Sequence, residues 1–188
     1  MSFYRNQLDL MIGYLSAVTN HASEASNSIE VQNKEVYNKE LDADQFFGIF
    51  IEYIFFFLHL TYRRIYSLME EREREMCLTQ MADLAIRMAI DLKGFFLDEK
   101  IKHELYDKCK QDFIIAMSDY GKLPEYTEDE PVQMPLYWHF QKKVATLSGH
   151  ALNPAAIFAI GLPLVVRVKD LNIDWFAKEL VSNRFNDA

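Results

Sequence analysis

Apolar residues at the start of the chain recur three and four positions apart: Phe3, Tyr4, Leu8, Met11, Ile12, Leu15 and Val18. That spacing predicts an amphipathic helix. From Asn20 to Asn33 the chain turns to Ser, Asn and Ala, the periodicity fades, and the pattern predicts a connection before helix resumes around Val31–Leu41. Asp42 or Asp44 is then placed to cap an aromatic helix, its carboxylate accepting from unpaired backbone N–H groups.

Between Gln45 and Phe96 there is no proline, and the only glycines are Gly48 and Gly94. An unbroken helix of that length would reach roughly 75 Å at 1.5 Å per residue, whereas a compact chain of this size has a radius of gyration of about 16 Å. The helix has to turn. The cluster Glu70-Glu71-Arg72-Glu73-Arg74-Glu75 has no apolar side chain to bury, so it is the expected turning point between antiparallel helices over Gln45–Glu70 and Glu75–Phe96. On the second of these, Asp83, Arg87 and Asp91 form an ion-pair ladder on one face, and Leu78, Met81, Ala82, Ala85, Met88, Ala89 and Leu92 supply the facing surface.

A further helix is predicted over Glu99–Tyr120, closed by Gly121 in a left-handed cap. Lys122–Pro135 holds three of the five prolines and the acids Glu125, Glu128, Asp129 and Glu130, which makes it the longest expected loop. Helix returns over Leu136–Leu147, and Asn153-Pro154 supplies a cap and first-turn pair for the next helix. Pro163 should kink or end that helix, and Asn172 can cap a last one running through Val181. The pattern implies a single all-α domain over residues 1–188, a bundle of about six to eight helices. At its centre lies the aromatic-rich antiparallel pair.

Two apolar runs, Phe46–Leu60 and Ala155–Val166, fall short of the roughly 20 apolar residues needed to cross a bilayer, and both read as buried core helices with no membrane span. The N-terminal residues show no basic segment followed by an apolar stretch and a cleavage site, so no secretory signal is read there. Cys77 and Cys109 cannot make a disulfide framework or a thiolate-rich zinc site. They read as buried free thiols of a cytoplasmic protein. The formal charge of −8, with Arg63-Arg64 and Lys142-Lys143 as the only adjacent basic pairs, leaves no stripe to neutralise phosphates and excludes direct nucleic-acid binding. Its simplest consequence is solubility.

Catalytic motifs are missing. The closest two glycines, Gly149 and Gly161, are 12 residues apart, which excludes a G-x-G-x-x-G turn and a phosphate-binding loop. There is no G-x-S-x-G elbow, and nothing places an activating carboxylate beside Ser148-Gly149-His150. The Glu-x-x-His spacing of di-metal bundles is absent. Glu99, His103 and Asp107 do share one helical face, but Lys100, Lys102, Lys108 and Lys110 around them mark it as a solvated charged surface. His139 and His150, 11 residues apart, are too far from one another along a helix to share an ion. No metal and no cofactor are expected.

The segment Phe46–Glu70 is the most informative. Taking about 100° per residue from Glu52, His59 falls near −20°, Arg63 near +20°, Tyr66 near −40° and Glu70 near 0°. Polar residues thus form a narrow stripe on an otherwise aromatic helix. Phe47, Phe50, Ile54, Phe57, Ile65 and Leu68 lie on the opposite face as core, and Phe55 and Phe56 flank the stripe. Arg64, near +120°, points toward the core side as a partner for an acid on another helix.

Three readings follow for Glu52, His59, Arg63 and Tyr66. The stripe faces water, with His59 and Arg63 bonding locally; or it lies at a subunit interface; or it lines a pocket for a small polar or anionic ligand, walled by Phe55 and Phe56. A buried Glu52 would need a cation or donor of its own. The reading that best joins these features is a non-enzymatic cytoplasmic helical protein acting through protein–protein contacts, as a homo-oligomer or with another protein. The alternative is a small-molecule-binding protein or enzyme with its pocket beside Glu52, His59 and Arg63.

Overall fold

The computed structural model describes residues 2–93, 97–124 and 135–182, and among them there are seven helices and no strand. They are α1 (Ser2–Tyr37), α2 (Ala43–Ile65), α3 (Glu71–Lys93), α4 (Glu99–Gly121), α5 (Pro135–Leu147), α6 (Pro154–Asp170) and α7 (Ile173–Ser182). The expected all-α bundle is what forms. One hydrophobic cluster draws on all seven helices, and α2 lies at its centre, packed against α1, α3, α4, α5 and α7.

α1 departs from the expectation, since no connection interrupts Asn20–Asn33 and a single helix of 36 residues spans it. Two physical reasons account for this. The buried face continues unbroken through the polar stretch at Met11, Leu15, Val18, Ala22, Ala25, Ile29 and Asn33, steps of three and four throughout. The small hydroxyls that suggested a loop are absorbed by the helix itself: Ser26 and Ser28 each donate to the carbonyl four residues earlier, as Ser16 and Thr19 do upstream of that stretch. α1 ends at Asn38, which takes the left-handed conformation (φ 49°) that asparagine tolerates better than most residues.

α2 starts where the sequence placed it. Asp42 caps it, accepting from the Gln45 backbone N–H at 2.7 Å while the Gln45 side chain accepts from Asp42 N–H at 3.2 Å, a reciprocal capping box. Its end comes earlier than expected, at Ile65, and the chain turns over residues 66–70 so that α3 opens on Glu71. The charged cluster is therefore the first turn of α3 and not the bend. Arg74 explains why. It is buried, not solvated, and its guanidinium donates to the carbonyls of Tyr66 (3.0 Å) and Met69 (3.3 Å) while lying 4.0 Å from the centre of the Tyr66 ring. Carbonyls left open at the end of α2 thus gain a cation from the start of α3. The pair is antiparallel, as expected.

At 23 residues α2 is longer than its apolar run, and by length and composition it could cross a bilayer. Length alone therefore does not decide the matter. Two-thirds of its apolar window is buried inside the protein, which is how a core helix behaves. Phe50, Phe55, Phe56 and Phe57 are all fully buried. Phe55 meets Phe113 edge-on, and Phe56 meets Tyr120, Tyr137 and Phe140. Phe47 is half-buried, and Leu68, in the turn, is exposed rather than core.

The remaining ends follow local chemistry. Asp98 caps α4. Gly121 is the last residue of α4 and stays helical, so the expected left-handed cap is not used there; Leu123 N–H closes the turn on the Tyr120 carbonyl. The left-handed glycine is Gly149 (φ 82°). With His150 N–H bonded to Ala145 and Gly149 N–H to Thr146, it ends α5 in a Schellman turn. Asn153 and Pro154 open α6 as predicted, Asn153 accepting from Ala155 and Ala156. Pro163 does not end α6, which runs on to Asp170; the proline is exposed, so water can serve the carbonyl that loses its donor. Asn172 stands directly before α7 in the left-handed region (φ 47°), making the turn from α6. The expected loop Lys122–Pro135 lies for the most part outside the described residues.

Candidate functional site

Two features of the packed helices could serve a function, a polar seam inside the bundle and an apolar face outside it.

The seam begins with Glu52 and His59, two helical turns apart on α2. Both are buried, at 6% and 3% exposure. The expectation that the stripe faces water fails for them, because α4 and α5 of the same chain cover it. Tyr120, at the end of α4, donates its hydroxyl to Glu52 Oε1, and Lys143 of α5 reaches Glu52 Oε2 at 2.9 Å. Each carboxylate oxygen thus has a partner, as a buried ionised carboxylate requires. The Lys143 ammonium also lies 5.4 Å from the centre of the Tyr120 ring. Burial first, and then the Glu52 charge, push the Tyr120 phenol well above its ordinary range, so it remains a donor at neutral pH.

His59 accepts at Nε2 from Arg63 Nε–H at 2.7 Å, which leaves the proton of the neutral ring on Nδ1. Nδ1 is buried and has no partner. Burial, then the adjacent Arg63 guanidinium, hold His59 down to about 4, so the ring is neutral at pH 7. Arg63 also donates to the carbonyls of Tyr120 (3.0 Å) and Leu123, fastening the end of α4 to α2. The His139 and Tyr120 rings stand at right angles, 5.9 Å between their centres. Glu52, His59 and Arg63 are therefore brought into one assembly with Tyr120 and Lys143. Tyr66 is not; it is exposed and belongs to the Arg74 turn. Arg64 finds its acid in Asp174 of α7, 2.9 Å away.

Tyr120 and Lys143 escaped the sequence reading because nothing in the spacing of α2 can announce partners on α4 and α5. Open cavities among the described residues lie elsewhere, and the one of about 820 Å³ opens at Arg72, Glu75 and Met76 near the start of α3. One of about 360 Å³ between α3 and α4 is lined by Arg87, Asp91, Lys102 and Tyr106, and another of about 500 Å³ lies between Leu8 and Met11 of α1 and Gln80 and Leu84 of α3. His103 and Asp107 stand exposed on α4, 3.7 Å from one another. Cys77 and Cys109 are free and buried, their thiols pushed up to about 12 chiefly by burial.

The second feature is α6, which the sequence suggested would be a buried core helix. Only one side of it is. Ala156, Ile157, Ile160 and Leu164 face α5 and α1, while Phe158 is 67% exposed and Val165 and Val166 about half exposed. At 100° per residue, Ala155, Phe158, Val165 and Val166 fall within about 100° of arc, opposite the buried side. Leu152, just before the helix, is 94% exposed. Phe158 rests against Trp138 of α5 at 5.2 Å, and Lys142 lies over the Trp138 ring. A signal existed in the sequence: from residue 144 to residue 166 there is no Asp, Glu, Lys or Arg, so the helix is uncharged on every side until its last turn. A helix of that kind is normally covered on every side.

No family model, no curated protein and no solved structure matches this chain. The functional reading rests on the geometry.

Proposed function

We propose that this chain is a non-enzymatic helical protein that acts by self-association, and that the outer face of α6 is its contact surface. The observation that carries the reading is the exposed stripe of Phe158, Val165 and Val166 on a helix whose other side is already buried, with exposed Leu152 just before it. Contiguous apolar surface of this kind marks interaction sites on folded proteins. Charge selects the occupant. Two copies of a chain of formal charge −8 repel at any face where their acids meet, whereas the α6 stripe carries no acid to oppose its counterpart. The same net charge disfavours an anionic lipid surface, to which interfacial helices are drawn by lysines and arginines on their polar face. The seam supports contact over chemistry, because the oxygens of Glu52 are held by Tyr120 and Lys143. Two free, buried cysteines fit a reducing compartment.

Sedimentation velocity over a concentration series tests the proposal. The native chain should pass from monomer to dimer by high micromolar concentration, and more readily as salt screens the −8 charge. Phe158→Glu should remain monomeric, while Ile114→Glu, on the exposed side of α4, should associate as before. A native chain that stays monomeric throughout, or that floats with neutral-lipid vesicles in a Phe158-dependent way, sinks the reading.

A further inference from the structure

On α3, Glu75, Met76, Thr79, Gln80, Asp83 and Leu84 follow one another at alternating steps of one and three, so they form a single stripe along the helix. Two open cavities run along this stripe and share Thr79 and Gln80. The one of about 820 Å³ opens among Glu70, Glu71, Arg72 and Glu75. The one of about 500 Å³ continues to Leu84 and is walled by Leu8 and Met11 of α1. From Glu71 to Leu84 the groove follows about 20 Å of helix, at 1.5 Å per residue.

Its apolar lining is open to water: Met76 is 53% exposed and Leu8 47%, and Leu84 is half-buried. Its first end is acidic. Glu70, Glu71 and Glu75 are exposed and make no ion pair among the described residues, and Arg72 is the one cation among the residues lining either cavity. Asp83 is set apart, since Arg87 and Tyr106 already hold its carboxylate.

We propose that this groove docks a cationic amphipathic helix of another protein. Its apolar side would lie on Leu8, Met76 and Leu84, and its lysines or arginines would meet Glu70, Glu71 and Glu75. Charge complementarity decides between occupants. Three unpaired acids against one arginine draw a basic helix, and they repel a second copy of a chain whose formal charge is −8. The apolar length beyond the acids distinguishes a helix from a small polycation, which would leave Leu8 and Leu84 uncovered. A flexible thioether at Met76 suits a surface that must follow a partner's side chains.

Fluorescence anisotropy on the native chain tests this with a labelled peptide of about 14 residues, carrying leucines at helical spacing and lysines elsewhere. A second peptide keeps the leucines and replaces each lysine with glutamate. The lysine peptide should bind at least about tenfold more tightly than the glutamate one, less so as salt rises. Glu71→Lys with Glu75→Lys should weaken it about tenfold, as should Thr79→Arg, which sets a cation at the exposed middle of the groove. Met76→Ser should weaken it several-fold while leaving the charge unchanged. Glu104→Lys with Asp112→Lys makes the same change in net charge at exposed positions of α4, and should leave binding within about twofold. Equal binding of the two peptides, or binding of neither, overturns the assignment. So does an equal loss in the α4 control, which would show attraction to net charge alone. Loss of binding in Phe158→Ser with Thr79→Arg unaffected would place the peptide on α6 and overturns it as well. If Glu71→Lys with Glu75→Lys abolishes a dimer that the native chain forms in sedimentation, the occupant is a second copy and not a basic helix.

Discussion

α2 and α6 invert the usual arrangement in opposite ways. α2 is the most deeply buried helix and holds an acid, an imidazole and half of a guanidinium. α6 is peripheral, carries no charge before Arg167, and shows water a phenylalanine and two valines. The first exception is largely resolved within the chain, since Tyr120 and Lys143 meet Glu52 and Arg63 meets His59 Nε2, leaving His59 Nδ1 without a partner. The second is left open within the chain. A buried polar group that has found its partners is a structural device, whereas an apolar face without one is the surface that the proposed self-association would cover.

The largest effect expected from disturbing this contrast is at Glu52. Glu52→Ala orphans the buried Tyr120 hydroxyl and removes the anion from Lys143, and should cost about 4 kcal/mol in urea unfolding, as broken buried pairs do. The combined change Glu52→Leu, Tyr120→Phe and Lys143→Met should recover most of that loss, because well-packed apolar substitutes can match a buried ion pair. A triple variant as unstable as Glu52→Ala alone would mean that the seam does more than fill its space.

The next effect is a pH dependence. His59 is held down to about 4 when folded, against an ordinary value of 6.5, so the unfolded chain binds the proton more readily. Its contribution is fully present above pH 6.5 and is lost as pH falls from there toward 4, amounting to about 3 kcal/mol. His59→Gln should flatten that part of the stability curve relative to the native chain. Parallel curves for the two proteins would show that His59 is not the titrating group. His59→Ala at pH 7 should also destabilise, since it leaves a cavity and removes the acceptor from Arg63.

Smaller still is Tyr120→Phe, which removes one hydrogen bond to a charged group while leaving Lys143 in place, and should cost about 2 kcal/mol. At the far end, Phe158→Ser should alter monomer stability by no more than about 0.5 kcal/mol, typical of surface positions, while weakening association in sedimentation. A Phe158→Ser monomer that melts far below the native one would place α6 with the core and erase the contrast.

Much of this molecule can be read from its residues, and the limits of that reading are physical. The all-α class, the α2–α3 pair and the Asp42 and Asn153 caps depend on neighbours within a turn or two, which spacing exposes directly. α1 was misread because composition outweighed periodicity: Val18, Ala22, Ala25 and Ile29 keep the helical step, but the Ser and Asn residues between them look like a loop. The Ser26 and Ser28 hydroxyls bond to carbonyls of the same helix, a solution that composition does not reveal. The Glu52–His59–Arg63 stripe was visible on the helical wheel, yet its burial was not, because Tyr120 and Lys143 come from helices far along the chain. The open side of α6 was hidden by the absence of polarity, since a helix apolar on all sides gives no sign of which side is covered.

The seating of α7 has a consequence for synthesis. Phe176 stacks on Tyr14 of α1 at 3.8 Å, with Phe176 and Leu180 fully enclosed, and Tyr14 in turn bonds Thr61 of α2. The first, second and seventh helices therefore share a single joint. A chain leaving the ribosome from its N-terminus cannot close that joint until α7 has been made, and until then Tyr14 lacks the ring that stacks on it. Apolar surface left open in this way during synthesis is what chaperones shield.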